Sequence, residues 1–231
     1  MTMEEIGSGT DLDLNLWKKH LGRVPEHLGR VPESVWARLD LQTLVLAEND
    51  LKELPAKIGE MQQLRMLDLG HNAFAEVPEE LGNLEGLRDF LYLHDNQLSD
   101  LPVSLGRLKK LRYLNISENA FVTFPQAVCE MTGLIELRVT DNQLTSLPDS
   151  IGKLANLREL HLRNNKLTTL PQSIGALTKL RLLDLRGNPL TYLPECLSQL
   201  ERLEKLDLRW VASELPQWVL DMEMRGCAVY R

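Results

Sequence analysis

The side chains best able to do chemistry in this 231-residue chain are five histidines, three cysteines and a large set of arginines and carboxylates. The histidines are His20, His27, His71, His94 and His161. None stands four residues from another, as a helix-borne metal pair would, and none clusters with Cys129, Cys196 or Cys227. No G-x-S-x-G turn offers a serine nucleophile. No glycine loop is suited to phosphate, because each glycine after an isoleucine or leucine recurs at a fixed interval. The sequence therefore predicts a chain that is not an enzyme, with no catalytic residues, no metal and no cofactor.

What orders the remaining polar residues is a 23-residue period marked by Asn49, Asn72, Asn96, Asn119, Asn142, Asn165 and Asn188. Pro55, Pro78, Pro102, Pro125, Pro148, Pro171 and Pro194 each follow six residues later. The consensus is LxxLxLxxNxLxxLPxxIGxLxx, and a fixed period of this length is the signature of a solenoid. Alternation such as Leu137-x-Val139 marks one half-buried strand per repeat. The strands all run the same way, so they predict one parallel sheet, with eight strands making a ridge of roughly 35 Å. The asparagine amide is expected to satisfy backbone groups of the turn in its own and the adjacent coil. Proline turns the chain into a return segment of short helix or 3-10 turn. Leu51, Phe74, Leu98, Phe121, Leu144, Leu167 and Leu190 fill one interior column, which makes Phe74, Phe121 and Phe124 core residues.

Three departures carry expectations. Asn72 and Asn96 are 24 apart, so the extra residue lies in Leu87–Leu91 and a bulge or a widened turn entering that strand is expected. LGRVPE occurs at 21–26 and again at 28–33, a seven-residue insertion. With one copy deleted, Leu14, Leu16, Lys19, Leu21, Val24 and Pro25 read as an eighth repeat with Lys19 at the asparagine site. In the last repeat (Leu203, Leu206, Leu208) Val211 stands where asparagine belongs. Trp210, Trp218 and Met222 are expected to cover the open C-terminal end, and Trp36 the start.

A single repeat shows the pattern whole: Leu157, Leu160, Leu162, Asn165, Leu167, Leu170, Pro171, Ile174, Gly175 and Leu177. It resembles the leucine-rich repeat family over roughly residues 12 to 220, and its LPxxIGxLxx half is most similar to the intracellular Ras-group, Scribble-type and bacterial repeats. The resemblance implies an α/β solenoid. One parallel β-sheet lines the concave face of an arc, and short helices, 3-10 turns or extended segments line the convex face. Residues 1–11 are expected to be disordered, 12–220 to form the repeat domain and 221–231 a C-terminal cap.

The positions six, four and two before each asparagine should face the concave side. The predicted protein-binding residues there are Met66, Asp68, Phe90, Tyr92, His94, Tyr113, Asn115, Arg138, His161, Arg163, Arg186 and Arg209. The N-terminal half of the face is apolar and aromatic, with Val45 and Trp17 as further members. The C-terminal half sets Arg138, Arg163, Arg186 and Arg209 against Glu136, Glu159, Asp184 and Asp207, which could simply pair with one another. His161 is expected beside Asp184. An N-x-S sequon at Asn115 falls inside a strand.

A net charge of −7 argues against nucleic acid or an anionic membrane as the main partner, while leaving room for a local basic patch. An odd cysteine count without flanking clusters, no secretory signal and no membrane-length apolar run point to the cytoplasm, with delivery into a host cell as an effector still open. Cys129 and Cys196 are read as spectators at or beside the consensus glycine. The expected partner is another protein, gripped by the concave face of a chain that is more often monomeric than not. The alternatives are the targeting part of a larger signalling or effector protein whose catalytic domain lies elsewhere, and a self-associating structural module.

Overall fold

The computed structural model describes residues 12–19, 31–212 and 215–231. Among them ten three-residue strands form one parallel sheet in strict chain order. They are β1 (Asp13–Asn15), β2 (Thr43–Val45), β3 (Met66–Asp68), β4 (Phe90–Tyr92) and β5 (Tyr113–Asn115). β6 (Glu136–Arg138), β7 (Glu159–His161), β8 (Leu182–Asp184), β9 (Lys205–Asp207) and β10 (Ala228–Tyr230) complete it. Seven of these follow from the asparagines, β9 from the leucines of the last repeat and β1 from the Lys19 repeat. β10 corrects the expected ridge: Ala228 pairs with Lys205 and Tyr230 with Asp207 beyond the last periodic leucine. The expected boundary at residue 220 lies inside a helix, α3 (Gln217–Met224), that leads into this strand.

The middle residue of each strand from β1 to β9 is a buried leucine, and its two neighbours face outward in the period of two that a pleated strand imposes. Return segments such as Ala56–Glu60 and Gln172–Ala176 are 3-10 turns, each entered from an extended proline. One of them, α2 (Gln126–Cys129), is α-helical instead. There Cys129 stands at the glycine position, while Cys196 lies two residues ahead of it, and both thiols are buried. Glycine at Gly82 is required by packing, since a Cβ there would sit 2.3 Å from the Ser104 carbonyl oxygen of the next coil. The interior is one continuous core in which Phe74 and Phe121 are fully buried. Each such side chain contributes about 1.5–3 kcal/mol.

The asparagines form a ladder as their chemistry predicts. The Asn165 amide nitrogen donates to the Val139 carbonyl of the preceding coil at 2.8 Å and to its own coil's Leu162 at 3.0 Å. Its oxygen accepts the Leu144 amide at 3.0 Å. Asn72, Asn96, Asn119, Asn142 and Asn188 repeat this arrangement. Asn49 closes it at the start, donating to the Leu16 carbonyl and accepting the Lys19 amide at 2.9 Å. Lys19 thus stands at the asparagine position of the first coil, as expected. Leu21, Val24 and Pro25 lie outside the described residues, as do residues 1–11 and most of the LGRVPE duplication. Within the described part, buried Val31 and Pro32, which opens α1 (Glu33–Trp36), fill the Leu-Pro positions.

The extra residue between Asn72 and Asn96 is accommodated as a bulge ahead of β4. In the preceding coil Arg65 and Met66 share the Gln42 carbonyl, seven and six residues before the asparagine. In the longer coil Arg88 and Asp89 share the Arg65 carbonyl one position earlier, and Asp89 pairs with Arg65 at 2.8 Å. At the ends, Trp36 and Met222 are buried and Trp218 packs against the core. Trp210 overturns its expected role, being 76 % exposed. It occupies the position just before the asparagine site, where Lys18, Glu48, His71, Asp95, Glu118, Asp141, Asn164 and Gly187 also have positive φ. The left-handed turn aims that side chain at solvent rather than over the core end.

Candidate functional site

Strand register brings the predicted face together. Met66, Phe90, Tyr113, Glu136, Glu159 and Leu182 lie side by side in one column, and Asp68, Tyr92, Asn115, Arg138, His161 and Asp184 in the next. The residue two before each asparagine follows its strand and adds a third column containing His94, Arg163, Arg186 and Arg209. The predicted residues do not form one uniform surface. They sort into an aromatic zone, a carboxylate zone and an ion-pair ladder.

In the aromatic zone the Phe90 ring lies 5.9 Å from Tyr92 and 5.4 Å from Tyr113, and the two tyrosine rings are 5.0 Å apart. Such offset and tilted contacts are the favoured geometries of aromatic pairs. Phe90 is 41 % exposed although it is large and apolar. Burial among its neighbours raises the Tyr92 phenol and pushes Tyr113 up to about 12, so both stay protonated and can donate a hydrogen bond. A groove of about 320 Å³ opens at the edge of this zone, lined by Asp89, Phe90, Arg112, Tyr113, Ile135 and Glu136. Trp17 stands apart, exposed and bonded through its indole nitrogen to Glu48.

The ring contacts continue through His94 to His71. His94 lies 5.9 Å from Tyr92 and 4.6 Å from His71. The two Nε2 atoms are 3.2 Å apart, and His71 Nδ1 meets Asp95 at 2.6 Å. His94 rests on Gly70, where a Cβ would come within 2.3 Å of the ring. Burial, then the neighbouring His71, lowers the pKa of His94. Column-by-column reading missed this pair because His94 stands two residues before its asparagine and His71 one before, so the contact is diagonal and is reached across Gly70. The available signal was Gly70 beside His94, which leaves room for the ring to reach the neighbouring turn.

The carboxylate zone is centred on β6 and β7. Arg138 donates from Nε to Glu136 at 2.6 Å. His161 stands opposite Asp184 in the register, as expected, but its side chain pairs elsewhere. Its Nε2 lies 3.3 Å from Glu159 and 3.8 Å from Glu136, because Asp184 is claimed by Arg186. Burial and the Arg138 charge lower the pKa of His161 and favour its neutral ring. Arg163 reaches Asp141 at 2.8 Å.

The C-terminal charges pair as one ladder. Arg186 contacts Asp184 at 2.6 Å and Asp207 at 3.4 Å, and Arg209 contacts Asp207 at 2.8 Å. Asp207 is fully buried. Burial pushes its carboxyl up, but bonds from Arg209 and the charge of Arg186 outweigh that and hold it below the usual range. Asp68, Asn115 and Asp184 also accept the backbone amide two residues on, at 2.9, 3.1 and 3.1 Å. That turn-closing role goes with their residue type and leaves less of each side chain to offer a partner.

With this geometry in place, the comparisons with known proteins are specific. A model described as the leucine-rich repeat region matches residues 79–162 and 145–224, and a second leucine-rich repeat model matches residues 40–98. No curated protein matches the chain. Among solved structures, a leucine-rich repeat protein of Leptospira interrogans superposes with a TM-score of 0.73 at 25 % identity, covering 100 % of this chain and 69 % of its own. The leucine-rich repeat ectodomain of the Arabidopsis thaliana membrane receptor kinase GASSHO1/SCHENGEN3, solved in complex with Casparian strip integrity factor 2, also gives a TM-score of 0.73. It is 31 % identical and covers 83 % of this chain, but the chain spans only 24 % of that ectodomain.

Proposed function

Because the chain belongs to the leucine-rich repeat family, whose fold commonly serves as a non-catalytic protein-interaction module, we propose that it recognises a partner protein through the exposed face of its sheet. The observation that carries this reading is the packed trio of Phe90, Tyr92 and Tyr113 on that face. Rigid aromatic side chains lose little freedom on binding, and residues of this kind dominate interface energetics. Arg138 borders the trio on the charged side, with Arg163 one strand further on, while the groove beside Tyr113 gives a partner side chain a place to enter. The receptor ectodomain that resembles this chain was solved in complex with a factor, which agrees with a binding role for the architecture.

The C-terminal part of the predicted face has a smaller share in this proposal. Arg186 and Arg209 already have carboxylate partners, so a ligand must displace those bonds. Among the described residues, no helix is long and apolar enough to cross a membrane. A second reading treats the chain as the targeting part of a larger protein. It draws on the chain spanning 69 % and 24 % of the two similar structures.

The test is capture of partners from source-organism lysate by the wild type and by Tyr92→Ala/Tyr113→Ala/Arg163→Glu, with circular dichroism to check that both are folded. A partner held by the wild type and lost by the variant is expected. Equal capture by both moves the binding site to the opposite face or the ends.

A further inference from the structure

We propose that Glu136, Glu159 and His161 form a divalent-metal site of the zinc class on the exposed face of the sheet. One carboxylate oxygen from each glutamate and one imidazole nitrogen all lie within 4.8 Å of one another. His161 Nε2 is 3.3 Å from Glu159 Oε2 and 3.8 Å from Glu136 Oε1. Ligands bound tetrahedrally at about 2.0–2.2 Å stand roughly 3.4 Å apart. Small side-chain rotations therefore bring the three groups onto one ion without moving the backbone.

The fold builds the trio. Glu136 and Glu159 are register partners on β6 and β7, and His161 is two residues beyond Glu159, on the same face. Like charges directly opposite on neighbouring strands are unfavourable, so the pair calls for positive charge. Arg138 answers for Glu136. Among the described residues the side-chain partner of Glu159 is His161. A bound dication would supply the missing charge, with the imidazole as its nitrogen ligand.

The donor set selects the metal. One imidazole with two carboxylates suits Zn²⁺, Co²⁺ or Ni²⁺, whereas Mg²⁺ and Ca²⁺ prefer all-oxygen shells. Arg138 keeps Glu136 aimed at the site, as partners of ligating carboxylates do. Three protein ligands leave a fourth position open toward the sheet face, where water or a carboxylate from another molecule can bind. This inference stands on the three side chains alone and does not require the face to grip a protein.

The full chain, stripped with chelator, is dialysed against ZnCl₂ or CaCl₂, and bound metal is counted by mass spectrometry. Co²⁺ absorption reports coordination number. The wild type is expected to hold one zinc that excess calcium does not displace, with a four-coordinate cobalt spectrum. Glu136→Gln/Glu159→Gln and His161→Gln are expected to weaken zinc by about tenfold or more. The glutamine pair removes the like-charge repulsion, so that variant should fold at least as well as the wild type. His71→Gln/His94→Gln controls for the other imidazole pair and is expected to retain zinc. No uptake by the wild type overturns the proposal. So does uptake unchanged by the glutamate and His161 variants, or uptake lost only with His71 and His94.

Discussion

Replacing Asn165 by alanine tests whether the asparagine ladder holds the coils together. Asn165 is 5 % exposed and its amide serves both coils. Alanine deprives Leu144 N–H and the Val139 carbonyl of the partner each has in this ladder, whereas the Leu162 carbonyl keeps its bond from Asn188. A buried backbone group left without a partner costs about 1–3 kcal/mol, so two of them predict a loss of about 3–4 kcal/mol. For a chain of this size that is roughly a 10 °C fall in Tm. Asn119 makes an equivalent set of bonds but is only half-buried, so water can replace part of what alanine removes. Asn119→Ala is expected to lose about half as much. Far-UV circular dichroism with thermal and urea unfolding measures both variants. The reasoning is refuted if Asn165→Ala loses under about 1 kcal/mol, the value of a single ordinary hydrogen bond, or no more than Asn119→Ala.

Three further outcomes follow from single contacts. Gly82→Ala drives a Cβ to within 2.3 Å of the Ser104 carbonyl oxygen and is expected to destabilise the chain by about 1–3 kcal/mol, read from the same melts. The lowered pKa of His94, set by burial and His71 with Asp68, Glu118 and Asp95 nearby, gives a signed pH dependence. As pH falls below the ordinary value of 6.5 the unfolded chain takes the proton first, so stability drops until the folded ring protonates too. His94→Gln should flatten that part of a Tm-against-pH curve. Asp207→Asn removes the charge that Arg186 and Arg209 share and is expected to destabilise by about 1.5–3 kcal/mol at neutral pH. Because the Asp207 carboxyl is held below its ordinary value of 3.8, the difference from the wild type should shrink as pH falls through the folded value.

The repeat made most of the fold legible because the core leucines, the asparagine and the proline each answer a backbone requirement that recurs once per coil. The same logic placed Lys19 and the bulge before β4. It failed where the period stops. Ala228–Tyr230 has no leucine or asparagine marker and joins the sheet only because β9 presents an unpaired edge. Trp210 was misread since a residue in the left-handed turn points outward whatever its hydrophobicity. At the site, the columns were legible but side-chain pairing was not. Two carboxylates compete for each arginine, and the choice of Arg186 for Asp184 is what turned His161 toward Glu159 and Glu136. The contact between His71 and His94 is diagonal, between different positions of neighbouring coils, and opens only because Gly70 has no side chain.

The central claim, that the aromatic zone meets the partner, is tested most directly by photo-crosslinking. A photoreactive phenylalanine analogue is placed at Tyr113 on the sheet face, or at Val103, which is 81 % exposed on a return segment. Both proteins are irradiated in source-organism lysate. The account predicts a discrete adduct from position 113 that is absent from position 103. It also predicts that Phe90→Asp, four strands from the charged ladder, abolishes the adduct. Equal labelling from both positions, or an adduct from position 103 alone, would contradict it.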